Sequence, residues 1–587
     1  MHRLASWVLR PNVRAVVFLS VILAAAAALR LHDIGARTLN HPEVYSPGID
    51  LPWDLSNPNP RFTLTQTLKG SIGGEPHPPG YYIFMLGWTK VFGSSILALR
   101  LPSVLFGVGS VLLVYLLGRL VADTRAALLA SAMLALNGFH MFYSQIARMY
   151  AMACFLGLLS TWLLVLLSRR PSRPLIYCVL YVVVTISGLA SHVYVWPLFI
   201  TQLLWVLAVG VRTRQSLVGL ARLQVLSFIL ATPLVAIAVY QRSAATAPKT
   251  LSPVSGVLQY LGGGALFEID PWDLTGRSLT WLAAILALGG SLLLLRAAAK
   301  AWGTPSGYPH SGPELDGCGR IPRLGMVVAA LAMTSSILLF AFAAKTMLPM
   351  RSTTAVLAVS TLPALLALLD AQVLNRQEWL ASFNQLWTKV VPLNPTARSL
   401  ILVLAIVPVT LVAVVSVLSP MFIRRGTLIF APYLLIVLAV GLRDLLRRDR
   451  RWAALGLMFA AVYGVSIFHY KALPPRYDYK GLAAQWTPEI EATDLIFVHG
   501  RGHPQDWVVA PIFYYLNARR YRYVGRDFLQ AVRKNPRSRV WVMSLGKIPT
   551  VPEAINALAG HELRKRIDAA DLSAELYVPK APGSGGL

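Results

Sequence analysis

Acidic side chains, histidines and prolines are concentrated in the stretch that follows the first long apolar run. Glu43 comes directly after Pro42, Asp50 lies shortly beyond it, and Glu75 stands close before His77. A glycosyl transfer, for example, needs a carboxylate that takes the proton from the acceptor hydroxyl. It also needs a cation or a metal that stabilises the departing phosphate. Because proline restricts the backbone, the acids are predicted to be held in place. The alternative is a solvated loop whose acids only cap helices.

Three arginines supply the cations that such chemistry would use. Arg148 lies at the start of an apolar run, and Arg424 and Arg425 lie between two others. An arginine at the N-terminal end of a helix is unfavourable to the helix dipole, so we expect an anionic partner. We predict that all three arginines bind a phosphate group. The alternative is that they are interfacial side chains whose guanidinium groups reach toward the lipid headgroups.

Histidines outside the first loop allow a ligand or a structural interpretation. His192 stands in a short turn between two apolar runs, where a histidine is more often a hydrogen-bonded turn residue than a ligand. In the tail, His499 and His503 have a spacing that metal ligands use. No third ligand is evident in the sequence around them, which favours a polar loop.

Membrane spans are the elements that must position these residues. Of the 587 residues, 56% are hydrophobic and 14% are charged, whereas soluble chains have about 25% charged residues. Apolar runs of about 20 residues recur, and each can cross a hydrocarbon core about 30 Å thick. The run Val13 to Leu31 could be read as a signal peptide but has no clear cleavage site, so we interpret it as a retained anchor. We predict about thirteen spans, at residues 13–31, 95–118, 126–144, 149–168, 174–190, 194–211, 220–240, 278–299, 324–344, 352–370, 398–418, 427–442 and 452–469.

The loops between these spans alternate in charge. One set carries most of the arginines and lysines, so it is predicted to be cytoplasmic. The net charge of +28 lies mostly in short loops between apolar runs and is not clustered on a soluble face, so we expect no nucleic-acid partner. An odd number of spans places the C-terminus outside, and we expect a multi-pass protein of the plasma or inner membrane. The three cysteines, Cys154, Cys178 and Cys318, predict no disulfide framework in the outer segments.

Two predicted outer regions are large enough for chemistry. One is the loop 32–94 of a membrane domain that spans residues 1–470. The other is the tail 471–587, which we predict to be a small α/β domain. Its expected strands are Asp494–Val498, Arg520–Val524, Arg539–Ser544 and Glu575–Val578, and its expected helices are Pro511–Asn517, Asp527–Lys534 and Glu553–Leu558.

Several motifs, taken in this order, resemble those of a known class. The chain resembles the polytopic GT-C glycosyltransferases related to protein O-mannosyltransferases and lipid A aminoarabinose transferases, often described as family 39-like. The motifs are Glu75-Pro-His-Pro-Pro-Gly-Tyr-Tyr82, Leu99-Arg-Leu-Pro-Ser103 with Gly107, Tyr115-Leu-Leu-Gly-Arg119, Tyr143-Ser-Gln-Ile-Ala-Arg-Met-Tyr150, Ser191-His-Val-Tyr194, Ser419-Pro-Met-Phe-Ile-Arg-Arg425 and Tyr477-Asp-Tyr-Lys-Gly-Leu-Ala-Ala484.

The resemblance implies an inverting transferase with a polyprenyl-phosphate sugar donor and an outer glycan, lipid or protein acceptor. The class usually carries an Asp-Glu pair in the first outer loop, one acid being the base. Here Pro42-Glu43 stands at that position. Glu43 is therefore the direct candidate, and Asp50 or Asp54 could substitute.

The resemblance also implies a set of substrate-binding residues. Glu75 and His77 match the second motif and bind either a divalent cation or the donor, since members of the class are metal-assisted or metal-independent. The other expected substrate contacts are Tyr81, Tyr82, His192 and Tyr194.

The same sequence allows two other functions. A lipid-linked sugar transporter or flippase tends to show internal repeats and ionisable groups near the middle of the membrane. The predicted spans here are almost free of charge and show no repeat. A non-catalytic assembly subunit is favoured only by the missing acid of the pair.

Overall fold

The computed structural model describes residues 13–39, 42–49, 62–74, 77–169, 174–213, 218–244, 252–262, 290–298, 397–418, 420–472, 477–499, 510–516, 522–524, 528–545 and 558–580. Within these residues the chain is helical up to Trp486, and the strands of a single sheet follow.

Apolar helices form the first and larger part. They are α1 (Val13–Leu31), α2 (Leu64–Gly74), α3 (Gly80–Phe92), α4 (Ile96–Val121), α5 (Thr124–Leu136), α6 (Gly138–Tyr143), α7 (Tyr150–Ser168), α8 (Leu175–Ser191), α9 (Val195–Thr213), α10 (Val218–Ala244), α11 (Pro253–Gly262), α12 (Ala397–Leu418), α13 (Ala431–Arg448) and α14 (Ala453–Ala472). Among the described residues, five helices are long and apolar enough to cross a membrane: α1, α4, α7, α10 and α12.

Most predicted spans in the described ranges coincide with one helix, but one does not. The prediction of a single span over 126–144 is wrong, because the helix stops after Leu136 and restarts at Gly138. Asn137 adopts an extended backbone and its side chain accepts the N–H of His140 at 2.8 Å, which begins α6. The predicted spans 324–344 and 352–370 lie outside the described residues, as does most of 278–299. The thirteen-span count stays a prediction.

Hydrogen bonds between side chains connect the helices. Tyr433 of α13 lies 2.7 Å from Thr161 Oγ1 of α7. Gln202 of α9 donates to Ser160 and Thr161 at 3.1 and 2.9 Å, and it accepts from Tyr181 of α8 at 3.2 Å. Such bonds join helices in an apolar medium, where lipid offers no polar partner. They fix α7, α8, α9 and α13 relative to one another.

The described part of the tail forms a five-stranded mixed sheet with three short helices. The strands are β1 (Leu495–His499), β2 (Arg522–Val524), β3 (Val540–Leu545), β4 (His561–Ala569) and β5 (Leu572–Pro579) in the order β2-β1-β3-β5-β4. The β1 strand is parallel to β2 and β3, whereas β5 is antiparallel to β3 and β4. The helices are α15 (Tyr479–Trp486), α16 (Ile512–Tyr515) and α17 (Phe528–Lys534).

Four predicted strands of the tail are confirmed within a few residues, as β1, β2, β3 and β5. The sequence did not predict β4, because most of its side chains are charged and exposed. The predicted helix Glu553–Leu558 lies outside the described residues apart from Leu558, which is in a turn.

The tail touches the first loop through two adjacent tyrosines of α16. The hydroxyl of Tyr515 accepts the backbone N–H of Leu39 at 2.7 Å. The hydroxyl of Tyr514 donates to the carbonyl of Ser94 at 3.1 Å. Both bonds reach backbone groups of the loop 32–94, so the tail lies against the loop that carries Glu43.

Candidate active site at the helix ends

A buried ion pair holds the first loop against α4. Arg100 Nε and Nη2 donate to the two oxygens of Glu43 at 2.8 and 2.7 Å. The two side chains are 2% and 1% exposed, so water does not screen the pair. This two-point geometry is the strongest form of an arginine–carboxylate contact. Glu43, the predicted base, is therefore fixed by its own partner.

The remaining donors of Arg100 bind the loop backbone. Its Nη1 donates to the carbonyls of Ile34 and Arg37 at 2.8 and 3.0 Å, and its Nη2 donates to the carbonyl of Thr38 at 2.9 Å. One guanidinium thereby orders the backbone that follows α1.

The turn between α6 and α7 is attached to the same loop. The N–H of Ala147 donates to Glu43 Oε1 at 2.8 Å, and Arg148 Nη1 donates to the carbonyl of Pro42 at 3.0 Å. Gln145 Nε2 donates to the carbonyls of Arg30 and His32 at 2.9 and 3.0 Å, near the end of α1. The motif that contains Arg148 is thus positioned by contacts with residues about a hundred positions earlier in the chain.

A second arginine, Arg30, stabilises the break between α5 and α6. Its guanidinium donates to the carbonyls of Leu134 and Ala135 at 3.2 and 3.0 Å, which are in the last turn of α5. It also lies 2.8 Å from His140 Nδ1. The last carbonyls of a helix lack hydrogen-bond donors within that helix, and Arg30 of α1 donates to them instead. Arg30 therefore acts on the site only through the helices it joins.

The second motif meets the turn between α8 and α9. The imidazoles of His77 and His192 stack with centroids 5.4 Å apart, and the ring of Tyr150 lies 5.3 Å from His192. The start of α3 can approach the end of α8 this closely because Gly80 has no side chain. A Cβ on Gly80 would lie 2.7 Å from the carbonyl oxygen of Ala190.

Two arginines flank this pair of histidines. The guanidinium of Arg148 lies 5.9 Å from the centre of the Tyr82 ring, and that of Arg425 lies 5.8 Å from the centre of the Tyr150 ring. Burial, followed by the charges of Arg425 and Arg148, lowers the pKa of His192 to about 3. Burial and the same two cations, with His192, lower the pKa of His77 well below its usual value. Both imidazoles are therefore neutral at physiological pH.

Hydrogen bonding defines the tautomer of His192. The N–H of Tyr194 donates to His192 Nδ1 at 3.1 Å, so the proton of the neutral ring is on Nε2. His192 is thus a hydrogen-bonded turn residue, as the structural interpretation expected, and it still presents one N–H donor.

Tyr194 positions the segment that carries Arg425. Its hydroxyl donates to the carbonyl of Met421 and accepts the N–H of Ile423, both at 2.7 Å. Its ring covers Gly426, where a Cβ would lie 2.5 Å from ring carbons. The short helix Arg424–Ile429 begins directly after Ile423. The hydroxyl of Tyr194 is therefore occupied by protein.

The predicted site residues are brought together only in part. His77, Tyr82, Arg148, His192 and Arg425 form one group, which we call the cationic cluster. Buried Tyr81 packs edge to face against Tyr82 with ring centres 5.6 Å apart. Arg424 begins the same short helix as Arg425, and its phosphate role stays a prediction.

Asp50, Asp54 and Glu75 lie outside the described residues. Within the described ranges, no three His, Cys, Asp or Glu side chains group as metal ligands would. The charged groups that act on His77 and His192 are the two arginines, whose charge disfavours a divalent cation. The described residues of the cluster therefore do not fit a metal.

One stretch of the chain matches a family model. Residues 76–237 match the family model of dolichyl-phosphate-mannose-protein mannosyltransferases. The predicted resemblance to the GT-C glycosyltransferases is confirmed over this stretch. It contains the motifs with His77, Arg100, Arg148 and His192. No protein of curated function matches the sequence significantly.

Comparison with solved structures finds only low similarities. ArnT from Cupriavidus metallidurans bound to undecaprenyl phosphate has 12% sequence identity and a TM-score of 0.41, and the match covers 95% of this chain and 97% of that one. The oligosaccharyltransferase AglB from Archaeoglobus fulgidus, with an inhibitory peptide and a dolichol-phosphate, has 12% identity and a TM-score of 0.39, with 97% and 75% covered. A complex of the Archaeoglobus fulgidus oligosaccharyltransferase with Zn and sulfate has 13% identity and a TM-score of 0.39, with 90% and 68% covered. Because these similarities are low, we infer function from this chain's own residues.

Sequence reasoning missed two positioning residues of the site. Arg100 appeared only as part of the Leu99–Ser103 motif, and Arg30 was not singled out within the run Val13 to Leu31. Both are arginines inside apolar helices, and an ionisable residue in such a place signals a specific partner. That signal was present in the sequence and could have identified both.

Proposed function

We propose that this membrane protein transfers a sugar from a polyprenyl-phosphate donor to an acceptor on the extracytoplasmic side of the plasma or inner membrane. The observation that carries the proposal is the position of two arginines beside the stacked rings of His77 and His192, with Arg148 over the ring of Tyr82 and Arg425 over the ring of Tyr150. Guanidinium groups form strong, charge-assisted hydrogen bonds with phosphate oxygens, and two of them close together favour a phosphate as their ligand. The phosphate of a lipid carrier at the membrane surface fits this chemistry.

In this reaction the cationic cluster binds the phosphate that leaves the sugar. Charge builds up on the phosphate oxygens as the glycosidic bond breaks, and guanidinium groups stabilise it most where water is scarce. Arg148 and Arg425 are half-buried or buried and are fixed against Tyr82 and Tyr150. His192 adds a neutral N–H donor on Nε2.

The acceptor hydroxyl needs a carboxylate base, and we propose Asp50 for this role. Glu43 was the direct candidate from its place in the sequence. However, both of its oxygens accept hydrogen bonds, from Arg100 and Ala147, and its side chain is fully buried. A base must lie within hydrogen-bond reach of the hydroxyl it deprotonates. We therefore propose that Glu43 positions the loop and that the base is supplied by the acids that follow it.

Binding of undecaprenyl phosphate to the purified protein in lipid nanodiscs tests the phosphate site. Removing one guanidinium should cost about 1.5–3 kcal/mol of binding free energy, or about 10- to 150-fold in Kd. We expect this loss for Arg148→Ala and for Arg425→Ala. The control is Lys90→Ala, which removes an exposed cation from α3. Wild-type affinity in both arginine variants would contradict the assignment.

A transporter of the same lipid would use a similar phosphate site, so binding alone does not separate the two functions. The family matched by residues 76–237 favours transfer. A transporter would move the intact lipid-linked sugar and release no free polyprenyl phosphate, which distinguishes the two in a turnover assay.

A further inference from the structure

A group of buried polar atoms beside the cationic cluster has no part in the chemistry described above. Thr67 and Ser71 lie on one face of α2, since residues four apart in a helix are neighbours. Both are fully buried. Among the described residues, the structure gives no hydrogen-bond partner to Thr67 Oγ1, Ser71 Oγ or Gln241 Oε1. Buried polar atoms without partners are rare in folded proteins, and several in one place indicate that something else binds them.

Gln241 connects these groups to the cationic cluster. Its Nε2 donates to the carbonyls of Ser71 and His77 at 2.5 and 2.8 Å. Carbonyl oxygens only accept, so the amide nitrogen must face them and Oε1 must face away. His77 Nδ1 is also buried and has no hydrogen-bond partner within the described ranges. The atoms without partners therefore lie on α2, at the end of α10 and on His77, and the hydrogen bonds of Gln241 join these three segments.

The chemistry of these atoms selects the class of ligand. Two hydroxyl groups, an amide oxygen and a neutral imidazole nitrogen offer both donors and acceptors and carry no charge. A phosphate would be repelled by the amide oxygen, and a lipid chain would leave every group unpaired. The hydroxyl groups of a sugar ring both donate and accept, so they can satisfy all four.

We propose that Thr67, Ser71 and Gln241 form the subsite for the sugar ring of the donor. His77 connects this subsite to the cationic cluster, because its carbonyl accepts from Gln241 and its ring stacks on His192. This subsite rests on the proposed function, since it takes the donor phosphate to lie in the cationic cluster. It makes α2 and the end of α10 the elements that determine which sugar is bound.

The test compares two probes: undecaprenyl phosphate alone, and a panel of undecaprenyl-phosphate-linked hexoses and pentoses, bound to the full-length protein in nanodiscs. Thr67→Val and Ser71→Ala each remove one hydroxyl and little volume. We expect each to weaken the best sugar-linked probe by about 2- to 12-fold, the usual range for one neutral hydrogen bond. Undecaprenyl phosphate alone should bind with unchanged affinity.

Thr201→Val is the matched control, because Thr201 is equally buried but its hydroxyl already donates to the carbonyl of Pro197 at 2.8 Å. It should leave the binding of both probes unchanged. Thermal unfolding without ligand should show that Thr67→Val and Ser71→Ala are no less stable than wild type, since they delete unpaired buried groups.

Each other outcome overturns the proposal in a recognisable way. If the two variants bind sugar-linked probes as wild type does, the polar side chains of Thr67 and Ser71 contact only water and no sugar. If they weaken both kinds of probe equally, its role is structural. If wild type prefers no sugar-linked probe over undecaprenyl phosphate, the sugar subsite is refuted while the phosphate site stands. If wild type binds neither kind of probe, the proposed function fails as well.

Discussion

The carboxylate of Glu43 and the guanidinium of Arg100 are joined by two hydrogen bonds of 2.8 and 2.7 Å in a place that water does not reach. The same guanidinium binds the carbonyls of Ile34, Arg37 and Thr38. The pair therefore links α4, the end of α1 and the first loop. It also supports the turn with Arg148, because Glu43 accepts the N–H of Ala147.

Breaking this pair should destabilise the protein strongly. Arg100→Ala removes the two-point partner of the buried Glu43 carboxylate, and removing one partner of a buried ion pair typically costs about 3–5 kcal/mol of unfolding free energy. Thermal unfolding of the protein in detergent measures the loss. The matched control is Arg447→Ala, whose ion pair with Asp123 is half exposed and should be worth about 0–1 kcal/mol. Equal unfolding temperatures for the two variants would show that the Glu43–Arg100 pair contributes little.

Acid should destabilise the protein through His192. Its pKa of about 3 in the folded protein is below the unfolded value of 6.5, because burial and two arginines disfavour the charged ring. The unfolded chain therefore binds more protons between these values, and stability falls as pH drops from about 6.5 toward 3. His192→Gln removes this titration and should make unfolding temperature depend less steeply on pH over that window, while the contribution of His77 remains. An unchanged slope in the variant would show that His192 does not titrate in this way.

The contact between the tail and the first loop should protect one backbone amide. Leu39 N–H donates to the hydroxyl of Tyr515, so Tyr515→Phe should accelerate hydrogen exchange of the Leu39 amide. The loss of one neutral hydrogen bond corresponds to about 0.5–1.5 kcal/mol, or about 2- to 12-fold in exchange rate. Tyr514→Phe is the control, since Tyr514 bonds to the carbonyl of Ser94 instead. If the Leu39 amide exchanged at the wild-type rate in Tyr515→Phe, this contact would not hold the loop.

The loop 32–94 and the tail should be reached from the same side of the membrane. Thr65→Cys in α2 and Lys534→Cys in α17 replace exposed residues of the two regions. A membrane-impermeant maleimide should label both in intact spheroplasts. Arg450→Cys, an exposed position in a loop predicted to be cytoplasmic, should be labelled only after permeabilisation. Labelling of only one of the first two would refute the predicted odd number of spans.

Local patterns in the sequence were sufficient for most elements and for part of the site. Apolar runs gave the helices around Arg148 and His192, and alternating runs gave four strands of the tail. The break at Asn137 was not predicted, because it depends on a side-chain cap and on Arg30, which comes from a distant helix.

The role of Glu43 also depends on distant contacts. Its acidic character and its place after Pro42 predicted a base, but the sequence did not show that Arg100 and Ala147 occupy both of its oxygens. Partners so far apart along the chain leave no periodic signal, so only the folded structure reveals them. For the same reason, the sequence did not show that the hydroxyl of Tyr194 is taken up by the backbone of Met421 and Ile423.

Turnover of a lipid-linked sugar is the measurement that tests the central claim most directly. Purified protein in vesicles would be given labelled undecaprenyl-phosphate sugars and an envelope extract that contains acceptors. We predict release of free undecaprenyl phosphate together with transfer of the label to the acceptor. Asp50→Asn should lower this turnover by about 10²- to 10⁴-fold, as the loss of a general base does, with donor binding retained. Asp54→Asn is measured beside it, and full loss in Asp54→Asn alone would move the base to that residue. Movement of intact lipid-linked sugar across the vesicle membrane, with no release of undecaprenyl phosphate by wild type, would contradict the transferase account.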